Sequence, residues 1–187
     1  MVDETQMRAF LAQAGRGDKG AMKAIYEAFA DPIARFARSR GADPVEAADV
    51  AHETLLEAWR VAARFEGRSS VKSWMFGIAR NKTVDRLRKA ARERVAEPDE
   101  NAPDDAPDAE QVMAALQEGA RLRRCIADLS PPHRTAIQLA FYEELSYAEI
   151  AEIEDCPVGT VKTRIHHAKK LLMRCLTAKP VARAVAS

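Results

Sequence analysis

The stretch EPDENAPDDAPD, Glu97 to Asp108, decides what this chain can fold into. It carries six acids and three prolines and shows no apolar periodicity. Such a segment cannot bury enough surface to offset the entropy of ordering itself, and its like charges repel one another. The chain must therefore fold as two pieces, which we place at residues 1–94 and 111–187 with a flexible, acidic, Pro-rich linker over 95–110. Within each piece, 47% apolar residues overall, few aromatics and frequent Ala, Arg and Glu favour helices over sheet. The expected class is all-α, as two small helical domains.

A net charge of +1 conceals strong segregation. From Arg60 to Arg94 basic residues far outnumber acids, from Val95 to Ala120 every charge is acidic, and from Cys156 onward every charge is basic. Two basic regions separated by an acidic connector point to two nucleic-acid-facing surfaces. No segment approaches the roughly 18 uninterrupted apolar residues of a membrane span, and the N-terminus has no signal-peptide pattern. A cytoplasmic protein without membrane insertion is expected. Cys125, Cys156 and Cys175 are odd in number, lie in helical patterns and form no CxxC pair, which reads as reduced packing thiols. No tetrahedral ligand spacing, phosphate loop or nucleophile with a paired base is visible. Metal, cofactor, small-molecule substrate and catalysis are therefore not expected.

In the first piece Met7, Phe10, Leu11 and Ala14 form one amphipathic helix. Met22, Ile25, Tyr26, Phe29, Ile33 and Phe36 continue a stripe through Pro32, where a kink or restart is expected. Asp43, Pro44 and Glu46 give a capped helix start. That helix runs to about Ala63 and buries Ala48, Ala51, Leu55, Ala58 and Ala62. Ser70 caps a fourth helix carrying Val71, Trp74, Met75 and Ile78, which turns basic toward its end. In the second piece Val112, Met113, Leu116 and Ala120 restart helical periodicity, and Ser130 with Pro131 caps the next helix. Past Ala178 the chain reads as a frayed tail.

Residues 146–173, SYAEIAEIEDCPVGTVKTRIHHAKKLLM, form a helix-turn-helix pattern. Ser146 and Glu149 make a capping box, and Ala148, Ile150, Ala151 and Ile153 supply an apolar side. Asp155 and Cys156 break the run, and Pro157 suits the first turn of the next helix. Val158, Val161, Ile165, Ala168 and Leu172 fall at inward spacing. Thr163, His166, His167 and Lys170 share another face, flanked by Lys162, Arg164 and Lys169, as a helix entering a major groove requires. Gly159 and Thr160 at its start would let the backbone approach a phosphate.

Two helical domains of this kind resemble a bacterial extracytoplasmic-function (ECF) sigma factor of the sigma-70 family. AADVAHETLLEAWR looks like region 2.2, SVKSWMFGIARNKTVDRLRK like regions 2.3 and 2.4, and LSYAEIAEIEDCPVGTVKTRI like region 4.2. The resemblance implies that core RNA polymerase, promoter DNA and an anti-sigma factor are the partners. It places Asp49, Glu53, Leu56, Trp59 and Arg60 against polymerase, although Ala48 and His52 stand where an acid and a glutamine are usual. It places Phe65, Arg68, Ser69, Ser70 and Lys72 in a loop at the −10 element, with Arg80, Asn81, Lys82, Arg86 and Lys89 along the following helix. Of these, Lys82, Arg86 and Lys89 form one cationic stripe. Thr160, Lys162, Thr163, Arg164, His166, His167 and Lys170 fall at the −35 element, the two histidines replacing a common aromatic and arginine. A sigma-like decoy for an anti-sigma factor and a stand-alone helix-turn-helix regulator are the alternatives.

Overall fold

Helix starts fall where polar side chains can take up orphan amides. The computed structural model describes residues 3–93 and 110–178, and among them all regular structure is helical. Helix α1 spans Glu4–Ala14, α2 Lys19–Ser39, α3 Pro44–Val61, α4 Val71–Glu93, α5 Glu110–Ala127, α6 Pro131–Ile137, α7 Tyr147–Glu154 and α8 Val158–Thr177. A 3₁₀ turn, Ala62–Arg64, follows α3, and a π-helical turn, Gln138–Tyr142, extends α6. The expected linker and frayed tail lie outside the described residues, apart from the linker's last position, Glu110, which begins α5.

Asp43 Oδ1 accepts from the Glu46 amide at 2.8 Å while Glu46 Oε2 accepts from the Asp43 amide at 2.9 Å. Ser146 and Glu149 repeat this reciprocal box on α7. Each box satisfies two donors that a bare helix end leaves open. Helix α4 is capped twice: Ser70 Oγ takes the Ser73 amide at 3.0 Å, and Glu4 Oε1, reaching across from α1, takes the Val71 amide at 3.0 Å. Ser130 precedes α6 but spends its hydroxyl on His133 Nδ1, 2.9 Å away, so no side-chain cap forms there.

Helices α1 to α4 pack around Ile25, Ile33, Phe36, Val50, Leu55, Met75 and Phe76, all buried, with Phe36 and Phe76 edge-on at 5.4 Å between centroids. Gly15 lets the end of α1 close on the 3₁₀ turn, because a Cβ there would lie 2.9 Å from the Ala63 nitrogen. Several expectations need correcting. Helix α2 continues through Pro32 without restarting, with Phe29, Ile33 and Phe36 on its buried side. Tyr26 is 48% exposed. On α3 Ala48 faces solvent, and Ala47, Val50 and Thr54 take the inner positions beside Ala51 and Leu55. Trp74 and Ile78 are half-buried, while Phe76 and Ala79 complete the α4 core.

The second domain does not stand apart. α6, the π-helical turn and α7 dock on α2 and α4, and one apolar cluster runs from Met7 through Phe36 to Leu139, Ile150 and Ile165. Beneath it Arg40, just past the end of α2, meets the buried carboxylate of Glu154 at 2.5 Å, and Arg35 lies 3.6 Å from the buried Glu143. Ser39 Oγ and Thr135 Oγ1 sit 3.1 Å apart.

Cys125 of α5 and Cys175 of α8 form a disulfide across a sequence separation of 50. The expectation of three packing thiols is therefore corrected, and among the described cysteines Cys156 alone is free. Helical periodicity places each cysteine on an inner stripe but carries no information on how near the two stripes come. Among the described residues a small apolar cluster of Leu129, Ile137, Ala168 and Leu172 lies on the same helices, and the covalent link adds to the hold it provides. Closing a loop of this length is worth about 4 kcal/mol in the chain-entropy treatment. Reducing the bond should lower the unfolding free energy of the second domain by about 2–5 kcal/mol. Urea denaturation with and without dithiothreitol measures this, and a Cys125→Ser, Cys175→Ser variant should show no response to the reductant.

Candidate nucleic-acid interface

Helix α8 carries its side chains in two classes. Val161, Ile165 and Ala168 are buried against α6 and α7, whereas Lys162, Thr163, His166, His167, Lys169 and Lys170 are exposed. Burial at i, i+4 and i+7 forces the intervening cations and imidazoles outward, which gives a recognition helix its reading face. His166 and His167 stack edge-on at 5.9 Å, and His133 of α6 lies parallel to His167 at 6.2 Å. Thr163 donates its hydroxyl to the Gly159 carbonyl at 2.9 Å, which leaves its lone pairs and methyl available to a groove. Thr160 is half-buried in the first turn.

Two inward assignments fail. Val158 is 40% exposed at the helix start, and Ala148 is exposed on α7. Arg164 departs from the expected outward set: it turns toward α7, 3.7 Å from Glu154 Oε2 and 3.8 Å from Cys156 Sγ. A carboxylate as buried as Glu154 requires charged partners, and Arg164 supplies one of them.

The loop expected at the −10 element is held in place by a residue absent from the expected set. Arg8 of α1 donates to the Ser69 carbonyl at 2.8 Å, and its guanidinium lies 5.7 Å over the Phe65 ring. Phe65 in turn packs on Trp74 at 5.1 Å. Arg68 projects into solvent and pairs with Glu66. Gly67 adopts φ +71°, a conformation that glycine takes without a Cβ penalty. The local pattern around Arg8 shows only its ion pair with Glu4 at 2.8 Å, because the carbonyls it holds are about sixty residues away.

Along α4 the expected DNA-facing residues divide between two neighbours. Arg86 pairs with Asp49, and its Nη1 lies 3.4 Å from Glu53 Oε1; Lys82 Nζ is 3.9 Å from Glu57 Oε2. The Asp49 hydrogen bond raises the Arg86 guanidinium further above its usual range. Arg86 of the cationic stripe thus meets the acids of the expected polymerase face, and Lys82 meets Glu57 one turn further along α3. Asn81 and Lys89 remain on the exposed side. On α3, Leu56 is 51% exposed among Asp49, Glu53 and Arg60, while Trp59 is 36% exposed and donates its indole N–H to the Ala14 carbonyl at 3.2 Å. Trp59 therefore splits its surface between anchoring α1 and facing solvent.

Two further cations of the expected −10 site, Lys72 and Arg80, face the second domain. Lys72 Nζ donates to the Glu143 carbonyl at 2.8 Å, and Arg80 Nη2 lies 3.8 Å from Asp155 Oδ2. Ser70 and Ser73 donate their hydroxyls to Glu149 Oε1 at 3.0 and 2.8 Å. Burial alone would raise the Glu149 carboxyl. The Ser146 amide and the hydroxyls of Ser73, Ser146 and Ser70 outweigh it and hold the group below its usual value.

Two family models match this arrangement: Sigma-70 region 2 over residues 25–93, and Sigma-70, region 4, over residues 119–172. Both regions of a sigma-70 protein are present, in order. The ECF RNA polymerase sigma factor RpoE of Cereibacter sphaeroides is 36% identical over 151 residues, covering 79% of this chain and 82% of that one. SigL of Mycobacterium tuberculosis is 32% identical over 166 residues, covering 88% and 93%. Among solved structures, sigma factor RpoE in complex with the anti-sigma factor NepR from Bartonella quintana superposes with a TM-score of 0.65 at 28% identity, covering 86% of this chain and 97% of that one. CnrH in complex with the cytosolic domain of CnrY gives 0.64 at 25% identity, covering 91% and 97%. The chain belongs to the ECF sigma factors of the sigma-70 family.

Because Glu149 is depressed in the folded chain, its contribution to folding stability is fully present above the ordinary carboxylate range and is lost as pH falls through the lowered value. Urea denaturation from pH 7 to 3 should show stability falling on acidification. A Glu149→Gln variant, which keeps the capping box, should show a shallower dependence on pH.

Proposed function

We propose that this chain joins core RNA polymerase and directs initiation at promoters, reading the −35 element with α8 and the −10 element with the 65–72 loop and α4. The observation that carries this reading is the outward row on α8 above a fully buried Val161, Ile165 and Ala168. Lys162, Thr163, His166, His167 and Lys170 form the −35 face, with Thr160 at the phosphate end. Arg164 instead orients the helix through Glu154. Phe65, Arg68, Ser69, Lys72, Arg80, Asn81, Lys82, Arg86 and Lys89 form the −10 surface, and Asp49, Glu53, Leu56, Trp59 and Arg60 the polymerase face. The protein acts by binding, without catalysis, in the cytoplasm. Among the described residues no helix is long and apolar enough to cross a membrane. Relatives held by NepR or by the cytosolic domain of CnrY support an anti-sigma factor as a further partner, and with it a signal-responsive release.

Geometry demands a rearrangement on the promoter. The two elements lie roughly 85 Å apart at about 3.4 Å per base pair, whereas a compact chain of this length has a radius of gyration near 16 Å. The docked arrangement cannot reach both, so the domains separate when the promoter is bound.

The direct test is transcription in vitro with core polymerase on a promoter library; enrichment of no promoter would sink the proposal. Within it, His166→Ala or His167→Ala should change preference by about 1–3 kcal/mol at individual −35 base pairs. Equal loss on every sequence would assign the imidazoles to phosphates. Lys82→Ala with Lys89→Ala should reduce the slope of log affinity against log salt by roughly 0.7–0.9 per lost phosphate contact. Arg86→Ala should in addition alter core binding, because it releases Asp49 and Glu53.

A further inference from the structure

The seam between the domains is electrically one-sided. Among the charged and carbonyl contacts described there, the first domain supplies the donors Arg35, Arg40, Lys72 and Arg80 with the hydroxyls of Ser70 and Ser73. The second supplies the acceptors, on Glu143, Glu149, Glu154 and Asp155. Carboxylates laid over arginine and serine, and the Glu143 carbonyl over Lys72, present those donors with oxygen acceptors of the kind a phosphate backbone would present. The overlap with the proposed −10 surface is specific: Lys72 and Arg80 both belong to it, and Ser70 lies in its loop. A cleft of about 460 Å³ lies beside them, walled by Ser69, Trp74 and Asn81 on one side and by Glu152, Ile153 and Asp155 on the other. A DNA strand running along Arg80 and Asn81 with a base turned into this cleft meets α7 in its path.

We propose that the acidic face formed by α7 and the turn before it is an internal mimic of the DNA strand, and that it competes with single-stranded −10 DNA for one cationic surface on the first domain. This rests on the −10 assignment made above. In the docked state the surface is occupied by the protein itself; strand and α7 exclude each other, so −10 binding and domain separation are one event. The competition is balanced because ion pairs across the seam are exchanged for ion pairs to phosphate, with counterion release favouring the DNA. Separation also carries α8 away from the first domain, which frees it to reach a distant −35 element.

The test uses the full chain and a labelled, randomised 12-nucleotide single-stranded DNA read by fluorescence anisotropy. Glu149→Gln with Asp155→Asn removes two of the mimicking charges while keeping both local conformations, since glutamine serves in a capping box and asparagine tolerates the left-handed backbone that Asp155 adopts. This variant should bind the strand at least fivefold more tightly than wild type. A charge-matched control, Glu27→Gln with Asp128→Asn on exposed acids away from the seam, should gain less than twofold. Adding Lys72→Gln and Arg80→Gln to the seam variant should abolish its gain. In wild-type protein, excess strand should accelerate amide exchange across 147–154. A gain no larger than the control's, a gain that survives loss of Lys72 and Arg80, or α7 exchange unmoved by DNA would each overturn the competition. Failure of the −10 assignment has a separate signature: Lys72→Gln and Arg80→Gln would then leave promoter opening by the reconstituted holoenzyme unchanged.

Discussion

Glu154 is the point through which the parts of this molecule are oriented. It closes α7, has a largely buried side chain, and takes Arg40 from the first domain and Arg164 from α8. An ion that deep cannot be left with one partner at small cost, so the end of α2, the end of α7 and the inner face of α8 are positioned together. The apolar seam of Phe36, Leu139 and Ile150 supplies the burial that holds the domains in contact. The arginine–carboxylate geometry fixes how they meet.

Much of the architecture was legible because it is local. Capping at Asp43, Ser70 and Ser146 depends on residues three apart, and the buried stripes of α1, α2 and α8 depend on helical period. Both survive folding unchanged. Where local contrast vanishes the reading slipped. Ala47 and Ala48 are equally apolar, so nothing in the pattern chooses which faces inward until α3 meets its neighbours. Pro32 lacks a donor, yet the packing of Phe29, Ile33 and Phe36 outweighs the missing hydrogen bond.

The candidate site was legible by composition and less so by pairing. The outward row on α8 and the exposed Leu56 follow from periodicity. The partners of Arg86 and Lys82 do not, because Asp49, Glu53 and Glu57 belong to another helix and their own pattern points to solvent. The carboxylates facing Lys72 and Arg80 are the same case: each looks like ordinary helix-surface charge until the domains dock. Cysteine pairing is hidden for the same reason, since spacing along a helix carries no distance between helices.

The Cys125–Cys175 bond closes a covalent ring around α6, the π-helical turn and α7, and these are the elements that touch the first domain. The seam contacts of the described residues therefore belong to a segment tied at both ends to its own domain. Pulling on the seam loads the cross-link instead of peeling α7 away from α8. The second domain can then leave as a rigid body, with the outward face of α8 already assembled.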